Sequence, residues 1–245
     1  MRGSIAVAVL CAPWLLAGCL ELEQTITIAP DGSGTHRLRM KMPLRLLRKL
    51  EAQAAVVRPQ ADRAQLEVAA IFKRDKAGRE LASAGMTLRK HEVLERRDTR
   101  VLQMEAGFKG LSELRRNPLT GGQADWILKK GPAGRTALFF FPMGKQAWKD
   151  AQLRIKELER KPSALMLAYF RSKQAELRGL DLKLTLELPG RVVGRSANLS
   201  AGAKPNQVVA HIDAASIRTP RDLLASLAPC YAIEFDSRGC TFTPR

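Results

Sequence analysis

Two stretches of the chain alternate apolar and polar residues with a period of two, which restricts each to a strand with one dry and one wet face. The first is THRLRMKM over residues 35–42, and the second is LDLKLTLEL over residues 180–188. A β-branched segment over residues 20–28 and the turn-forming sequence PDGSG precede the first stretch. These features predict a hairpin over residues 20–42 with one basic, solvated face.

Further strands and helices follow from similar patterns. Helical spacing predicts helices from residue 43 to about 54, over 75–84, near 111–115 and over 221–226. A long amphipathic segment over about 146–178 is interrupted by Pro162, so two helices or one kinked helix fit it. Strand pairs are predicted at 86–94 with 100–108 and at 124–129 with 136–141, single strands at 208–212 and 232–235, and a linker at 56–64. The sequence therefore predicts an α+β fold, with antiparallel meanders, helices packed on one face and the 146–178 segment as a helical insertion.

The N-terminus has the form of an export signal. One positive charge, at Arg2, precedes an apolar stretch over residues 5–16 and the small residues Ala17 and Gly18. This stretch is too short to span a bilayer comfortably, because a transmembrane helix needs about 20 residues. The chain is therefore expected to be exported, with residues 1–18 removed and residues 19–245 forming the mature domain.

The last four residues of this signal, Leu16-Ala17-Gly18-Cys19, match the lipobox of bacterial lipoproteins at every position. The resemblance implies cleavage before Cys19 and a lipid on its thiol, which would hold the domain on a membrane. An ordinary signal peptide with a chance cysteine is the alternative. The residue after Cys19 is leucine rather than aspartate, which resembles the default routing to the periplasmic face of the outer membrane in Gram-negative lipoproteins.

Cysteine usage is consistent with export. The leader contains Cys11 and the lipobox contains Cys19, which leaves Cys230 and Cys240 as a pair. An even remainder in an oxidising compartment predicts a disulfide, closed by a turn over residues 236–239. Two free, buried thiols are the alternative.

The charge of the chain favours acidic partners. The formal net charge is +17, and loss of Arg2 with the leader makes it +16. Six cations fall within 13 residues that begin about 20 residues after the expected anchor. They are Arg37, Arg39, Lys41, Arg45, Arg48 and Lys49. We expect them to contact an anionic surface, with an ordinary solvated face as the alternative; export and the low aromatic content of 5% weigh against nucleic acid.

No catalytic or metal-binding pattern stands out, and neither a metal nor a cofactor is expected. The three histidines lie far apart in the sequence, and none forms a metal-binding pair at helical spacing. His36 lies near the hairpin turn and is expected to be exposed. His91 and His211 occupy alternating strand positions and are expected to be surface or hydrogen-bonded residues.

The order of the motifs resembles a known family. A lipobox leads into a strand, a Pro-Asp-Gly turn and a second strand ending in Met42-Pro43; later a leucine-rich strand ends in Leu188-Pro189-Gly190, followed by Ser196-Ala197-Asn198. This order resembles the LppM-like bacterial lipoproteins, membrane-anchored α+β domains of mostly unknown molecular function. The resemblance covers about a third of the chain and implies an export-and-anchor architecture, but it supplies no site residues.

These observations lead to two hypotheses for function. The first is a non-enzymatic envelope lipoprotein, tethered through Cys19, that binds another envelope component or has a structural role. The second is a lipoprotein that carries a lipid or other apolar ligand in an internal pocket. In that case the leucines over 182–188 and the apolar stripe over 148–170 would line the pocket. An enzyme is a third and weaker alternative.

Overall fold

A computed structural model describes residues 20–48, 71–120, 122–160, 164–174 and 177–241. The described residues form eleven strands and five α-helices. The strands are β1 (Glu21–Ile28), β2 (Gly34–Pro43), β3 (Thr87–Arg96), β4 (Thr99–Phe108), β5 (Asp125–Lys130), β6 (Arg135–Phe141), β7 (Asp181–Glu187), β8 (Val192–Arg195), β9 (Ser200–Ala201), β10 (Gln207–Asp213) and β11 (Tyr231–Asp236). The helices are α1 (Arg74–Ser83), α2 (Leu111–Arg115), α3 (Lys145–Arg160), α4 (Ala164–Gln174) and α5 (Pro220–Leu227). The fold is α+β, as the sequence predicts.

The strands form two sheets. The large sheet has seven strands in the order β3-β4-β2-β1-β7-β10-β9, and the small sheet has four in the order β5-β6-β11-β8. Every pairing is antiparallel except that of β1 with β7, which is parallel. The predicted hairpins β1–β2, β3–β4 and β5–β6 are all present. The predicted antiparallel sheets are confirmed, and β1 in addition pairs in parallel with a strand much later in the chain.

The hairpin turn between β1 and β2 is fixed by local hydrogen bonds. The Asp31 Oδ1 atom accepts bonds from the Ser33 backbone nitrogen at 2.9 Å and from its hydroxyl at 2.7 Å. Gly32 has a φ of 83°, a conformation that favours glycine. The turn places Gly34 opposite Ile28, which sets the register of the whole hairpin.

The core lies against one face of the large sheet, and the predicted alternation decides which face. Even-numbered residues of β2 are buried, from His36 to Met42, whereas Arg37 and Arg39 are exposed. In the second alternating stretch, Leu186 and Leu188 are 1% exposed. Leu182 and Leu184, in the same stretch, are half-buried and also pack against the core. The leucines offered as a pocket lining therefore belong to the packed core of the sheet.

Most other predicted elements are confirmed within a residue or two. Within the 146–178 segment the structure describes two helical stretches, α3 and α4, on either side of residues 161–163, which lie outside the described residues, so both forms of the prediction stand. Residues 44–48 begin the helix predicted after Pro43, and the rest of that helix and the 56–64 linker lie outside the described residues. The short strands β8 and β9 were not predicted, because four-residue and two-residue segments contain too little periodicity.

Gly34 lies where two neighbouring strands approach β2 most closely. A Cβ atom at this position would lie 1.9 Å from the Thr27 carbonyl oxygen and 2.6 Å from Phe108 Cζ. The backbone oxygen cannot move without disturbing the hairpin, and the Phe108 ring is buried in the core. Gly34 therefore allows β1, β2 and β4 to pack together at this end of the large sheet.

We predict that Gly34→Ala lowers the free energy of unfolding by about 2–3 kcal/mol, because the added methyl group overpacks the sheet. Gly78→Ala is a matched control within α1, where the added Cβ would lie in ordinary contact with Leu88 Cδ2, at 3.7 Å. That variant should raise the free energy of unfolding by up to about 1 kcal/mol, since alanine favours helix over glycine. Urea unfolding of both variants measures the two effects. Equal stability of the two variants would contradict the described packing at Gly34.

Candidate functional site

The expected anchor point lies at one end of the large sheet. Cys19 itself lies outside the described residues, so its lipidation stays a prediction. Its covalent neighbour Leu20 is 5% exposed, and the Leu20 carbonyl oxygen accepts a hydrogen bond from the Asp181 backbone nitrogen at 2.9 Å. Because adjacent Cα atoms are about 3.8 Å apart, Cys19 is directly attached to the buried start of a central strand.

The predicted basic strand face is present, but its cations have acidic partners. Arg37, Arg39 and Lys41 lie on the outer face of β2, away from the core. The ion pairs are Arg37 Nε to Glu105 Oε2 at 3.3 Å, Arg39 Nη1 to Glu23 Oε2 at 3.6 Å, and Lys41 Nζ to Glu21 Oε1 at 2.5 Å. In each pair the residues lie directly opposite on adjacent strands. The positive charge of this face is therefore balanced locally.

The sequence contained a signal for two of these pairs. Glu21 and Glu23 occupy odd positions of β1, and the predicted hairpin places odd positions of both strands on the same face. The third ion pair could not be predicted in this way. Its acidic residue, Glu105, lies on β4, and the pairing of β4 with β2 is a long-range contact that the sequence pattern does not specify. Exposed pairs of this kind contribute only about 0–1 kcal/mol each. Their clearest effect is on the charge of the surface.

The other three predicted cations follow β2 in the chain, and the structure describes two of them. Arg45 and Arg48 are exposed on the helical turn over residues 44–48. Neither forms an ion pair with a described residue. Lys49 lies outside the described part of the chain. Binding of an anionic surface by this set stays a prediction.

His36 is buried, so the prediction that it is exposed is wrong. Its side chain has no solvent-accessible surface and lies between two amide side chains. The His36 Nε2 atom is 2.9 Å from Gln24 Oε1, and the His36 Nδ1 atom is 2.7 Å from Asn117 Nδ2. The alternating pattern contained the signal, because position 36 shares the even register of Leu38. Its proximity to the turn gave the wrong expectation.

These contacts assign the protonation state of the histidine. The amide nitrogen of Asn117 can only donate, so Nδ1 accepts and the ring proton lies on Nε2, which donates to Gln24 Oε1. Burial lowers the pKa of His36 to about 3. The Asn117 side-chain oxygen also accepts a bond from the Leu119 backbone nitrogen at 3.0 Å. The three polar side chains therefore link the β1–β2 hairpin to the loop after α2, and both ring nitrogens are occupied.

The other two histidines are hydrogen-bonded, as predicted. His91 Nε2 lies 2.9 Å from the Ile71 carbonyl oxygen, and His211 Nε2 lies 2.8 Å from Asp181 Oδ1. Among the residues that the structure describes, no group of three or more histidine, cysteine or acidic side chains is arranged to hold a metal ion. Within the same residues, no helix has the length and apolar character needed to cross a membrane.

The disulfide predicted between Cys230 and Cys240 is absent, and both thiols are free and half-buried. Burial raises the pKa of each thiol. The prediction required a hairpin after β11, but β11 already pairs with β6 on one side and β8 on the other. The chain instead continues away, and the Thr241 backbone nitrogen donates to the Pro30 carbonyl oxygen at 2.8 Å.

The distance along β11 explains why the two cysteines do not meet. Cys230 immediately precedes the strand, and Cys240 follows the turn at its other end. A six-residue strand spans about 20 Å, whereas a disulfide requires Cα atoms within about 7 Å of each other. The alternative of two free thiols is therefore the one that the structure supports.

Comparisons with known proteins give limited information. No family model matches the chain, and no curated protein matches it. A solved structure with some similarity is the folded domain of LppM from Mycobacterium tuberculosis, determined by NMR. The identity is 11%, the match covers 90% of this chain and 91% of that chain, and the TM-score is 0.41. A similarity at this level carries no argument about function, and the family resemblance stays a prediction.

We predict that burial of neutral His36 makes the protein sensitive to acid. Below the unfolded-state pKa of about 6.5, the unfolded chain gains a proton on this histidine that the folded chain does not accept. Between pH 7.5 and pH 5, this difference should lower the free energy of unfolding by about 2 kcal/mol. The loss should continue as the pH falls towards the folded-state pKa of about 3.

Urea unfolding at the two pH values measures this loss. His36→Gln removes the titrating group while keeping a donor and an acceptor, so its loss between the two pH values should be smaller by about the same 2 kcal/mol. His211→Gln serves as the control for replacing a histidine with glutamine at an exposed position. An identical pH dependence of His36→Gln and the unchanged protein would show that His36 is not buried in its neutral form.

Proposed function

We propose that this protein is a non-enzymatic lipoprotein of the cell envelope, anchored through a lipid on Cys19, whose folded domain binds another envelope component or has a structural role. The observation that carries the proposal is the position of Leu20. This residue is already buried and hydrogen-bonded within the fold, one position after the lipobox cysteine. The mature domain therefore needs no linker between its lipid and its central strand.

The position of β1 also supports cleavage before Cys19. β1 begins at Glu21 and lies between β2 and β7 in the large sheet. A signal peptidase that cut beyond residue 20 would remove part of this central strand and leave core contacts unmade. Cleavage between Gly18 and Cys19 leaves the strand complete.

Two positive observations support a non-enzymatic role. The most buried titratable side chain, His36, has both ring nitrogens in hydrogen bonds with amide groups, so neither nitrogen is available to transfer a proton. On the outer face of the large sheet, carboxylates such as Glu23 and Glu105 are held by cations of β2. These side chains are held in contacts within the fold, which supports the proposed non-enzymatic role.

The charge of the domain supports an acidic envelope partner. The mature chain has a formal net charge of +16 after loss of Arg2, and Arg45 and Arg48 are exposed close to the anchored end. Anionic headgroups, cell-wall polyanions and acidic envelope proteins fit this charge. If the source is a Gram-negative bacterium, the leucine after Cys19 favours the periplasmic face of the outer membrane.

We predict that the mature protein begins at Cys19 and has the additional mass of acyl chains. Mass spectrometry of the protein purified from membranes should show residues 1–18 absent and a lipid-modified N-terminal peptide. Cys19→Ala should abolish both the modification and membrane association. Cys11→Ala is the matched control, because Cys11 lies in the leader outside the lipobox and its loss should change neither result. A mature protein that starts elsewhere and lacks lipid would overturn the proposed function.

A further inference from the structure

The strand register brings four distant segments to the same end of the large sheet as the anchor. Glu21, which starts β1, pairs with Lys41 near the end of β2 and with Asp181 at the start of β7. The end of β2 pairs with the start of β4, and the end of β10 pairs with the start of β7. The segments that leave or enter these strands are 44–48, 96–100, 177–180 and 214–218, and together we call them the anchor rim.

The anchor rim is strongly basic. It contains seven arginines and one acidic residue, Asp98. Six of the arginines are exposed, and none of the six forms an ion pair with a described residue. They are Arg45, Arg48, Arg96, Arg97, Arg178 and Arg218. The seventh, Arg100, is paired with Glu95. Among the described residues near the anchor, the cations without an acidic partner therefore lie at the rim rather than on the outer face of β2.

The rim is also a connected structure. The Leu44 backbone nitrogen donates to the Asp98 carbonyl oxygen at 2.8 Å, which ties the turn after β2 to the β3–β4 turn. The Asp213 side chain accepts a bond from the Ser216 backbone nitrogen at 2.7 Å, which fixes the turn after β10. Arginines of the rim therefore lie on turns that are held by hydrogen bonds, namely the turn after β2, the β3–β4 turn and the turn after β10. No comparable group occurs in the β1–β2 turn at the opposite end, where Asp31 is the charged residue.

We propose that the anchor rim seats the domain on the anionic headgroups of the leaflet that holds the acyl chains of Cys19, with the strands of the large sheet rising from the membrane. This proposal rests on the proposed function, because the lipid on Cys19 brings the rim to the surface. Only Leu20 separates Cys19 from β1, so the tether keeps the effective concentration of headgroups at the rim high. Arginine suits this contact because its guanidinium group binds phosphate oxygens in pairs.

Hydrogen–deuterium exchange of the lipidated full-length protein in vesicles tests the proposal. One set of vesicles contains phosphatidylcholine alone, and the other contains phosphatidylcholine mixed with phosphatidylglycerol. In the anionic vesicles, amides of residues 96–100 and 214–218 should exchange at least about fivefold more slowly, the factor that one arginine contributes near an anionic surface. Amides of the opposite turn, residues 29–33, should exchange equally in both. High salt should remove the protection, because it screens the charges.

Two variants with equal loss of charge test the residues. The rim variant changes Arg96, Arg97, Arg178 and Arg218 to glutamine, and the control variant changes Lys76, Arg79, Lys109 and Arg191 to glutamine. All eight side chains are exposed, and none forms an ion pair with a described residue. The rim variant should lose the protection in anionic vesicles, and the control variant should keep it. Exchange in the core strands establishes that both variants are folded, and the salt dependence of the unchanged protein tests the proposal without any substitution.

The outcomes separate this proposal from the proposed function. A protein that contains acyl chains and floats with the vesicles, but whose rim exchanges equally in neutral and anionic vesicles, would overturn the proposal and leave the anchor intact. A protein without acyl chains that fails to float would overturn the proposed function and this proposal together. Protection at residues 29–33 in place of the rim would show that a different surface faces the membrane.

Discussion

The pairing of β1 on both of its sides is the constraint on which the structure depends. β1 joins its hairpin partner β2 on one edge and the distant strand β7, in parallel, on the other. The first strand of the mature chain thereby links the N-terminal strands of the large sheet to its C-terminal strands. Because this strand begins directly after the expected anchor, the same pairing that holds the sheet together would also determine which end of the sheet the proposed lipid holds at the membrane.

The buried polar chain of Gln24, His36 and Asn117 adds specificity to this arrangement. A slip of one residue in β2 would move His36 to the outer face and bring Arg37 into the core. The apolar side chains alone penalise such a slip. Loss of the hydrogen bonds that His36 donates to Gln24 and accepts from Asn117 penalises it further. The cross-strand ion pairs act in the same direction on the other face, since Arg39 meets Glu23 only in the observed register.

Much of the fold follows from local sequence patterns, whereas the contacts between distant segments do not. The alternation around Leu38 and Leu186 predicts two strands and their buried faces, because the period of two is a local property. Three features depend instead on which strands are neighbours, and local patterns do not determine this. They are the parallel pairing of β1 with β7, the ion pair of Arg37 with a residue of β4, and the separation of Cys230 from Cys240. His36 shows how two local signals can disagree. The alternation of β2 indicates that it is buried, whereas its position near the hairpin turn suggests exposure. The anchor rim can be recognised only from the complete strand register, because its arginines come from four separate segments.

We expect the folded domain to rest directly on the membrane at the anchored end of the large sheet. Neutron reflectometry of the lipidated protein on a supported bilayer containing phosphatidylglycerol measures this directly, because it resolves water between a protein layer and the headgroups. Protein density should begin at the headgroup layer, since Leu20 is already part of the fold. A separate water layer between the headgroups and the protein would contradict it.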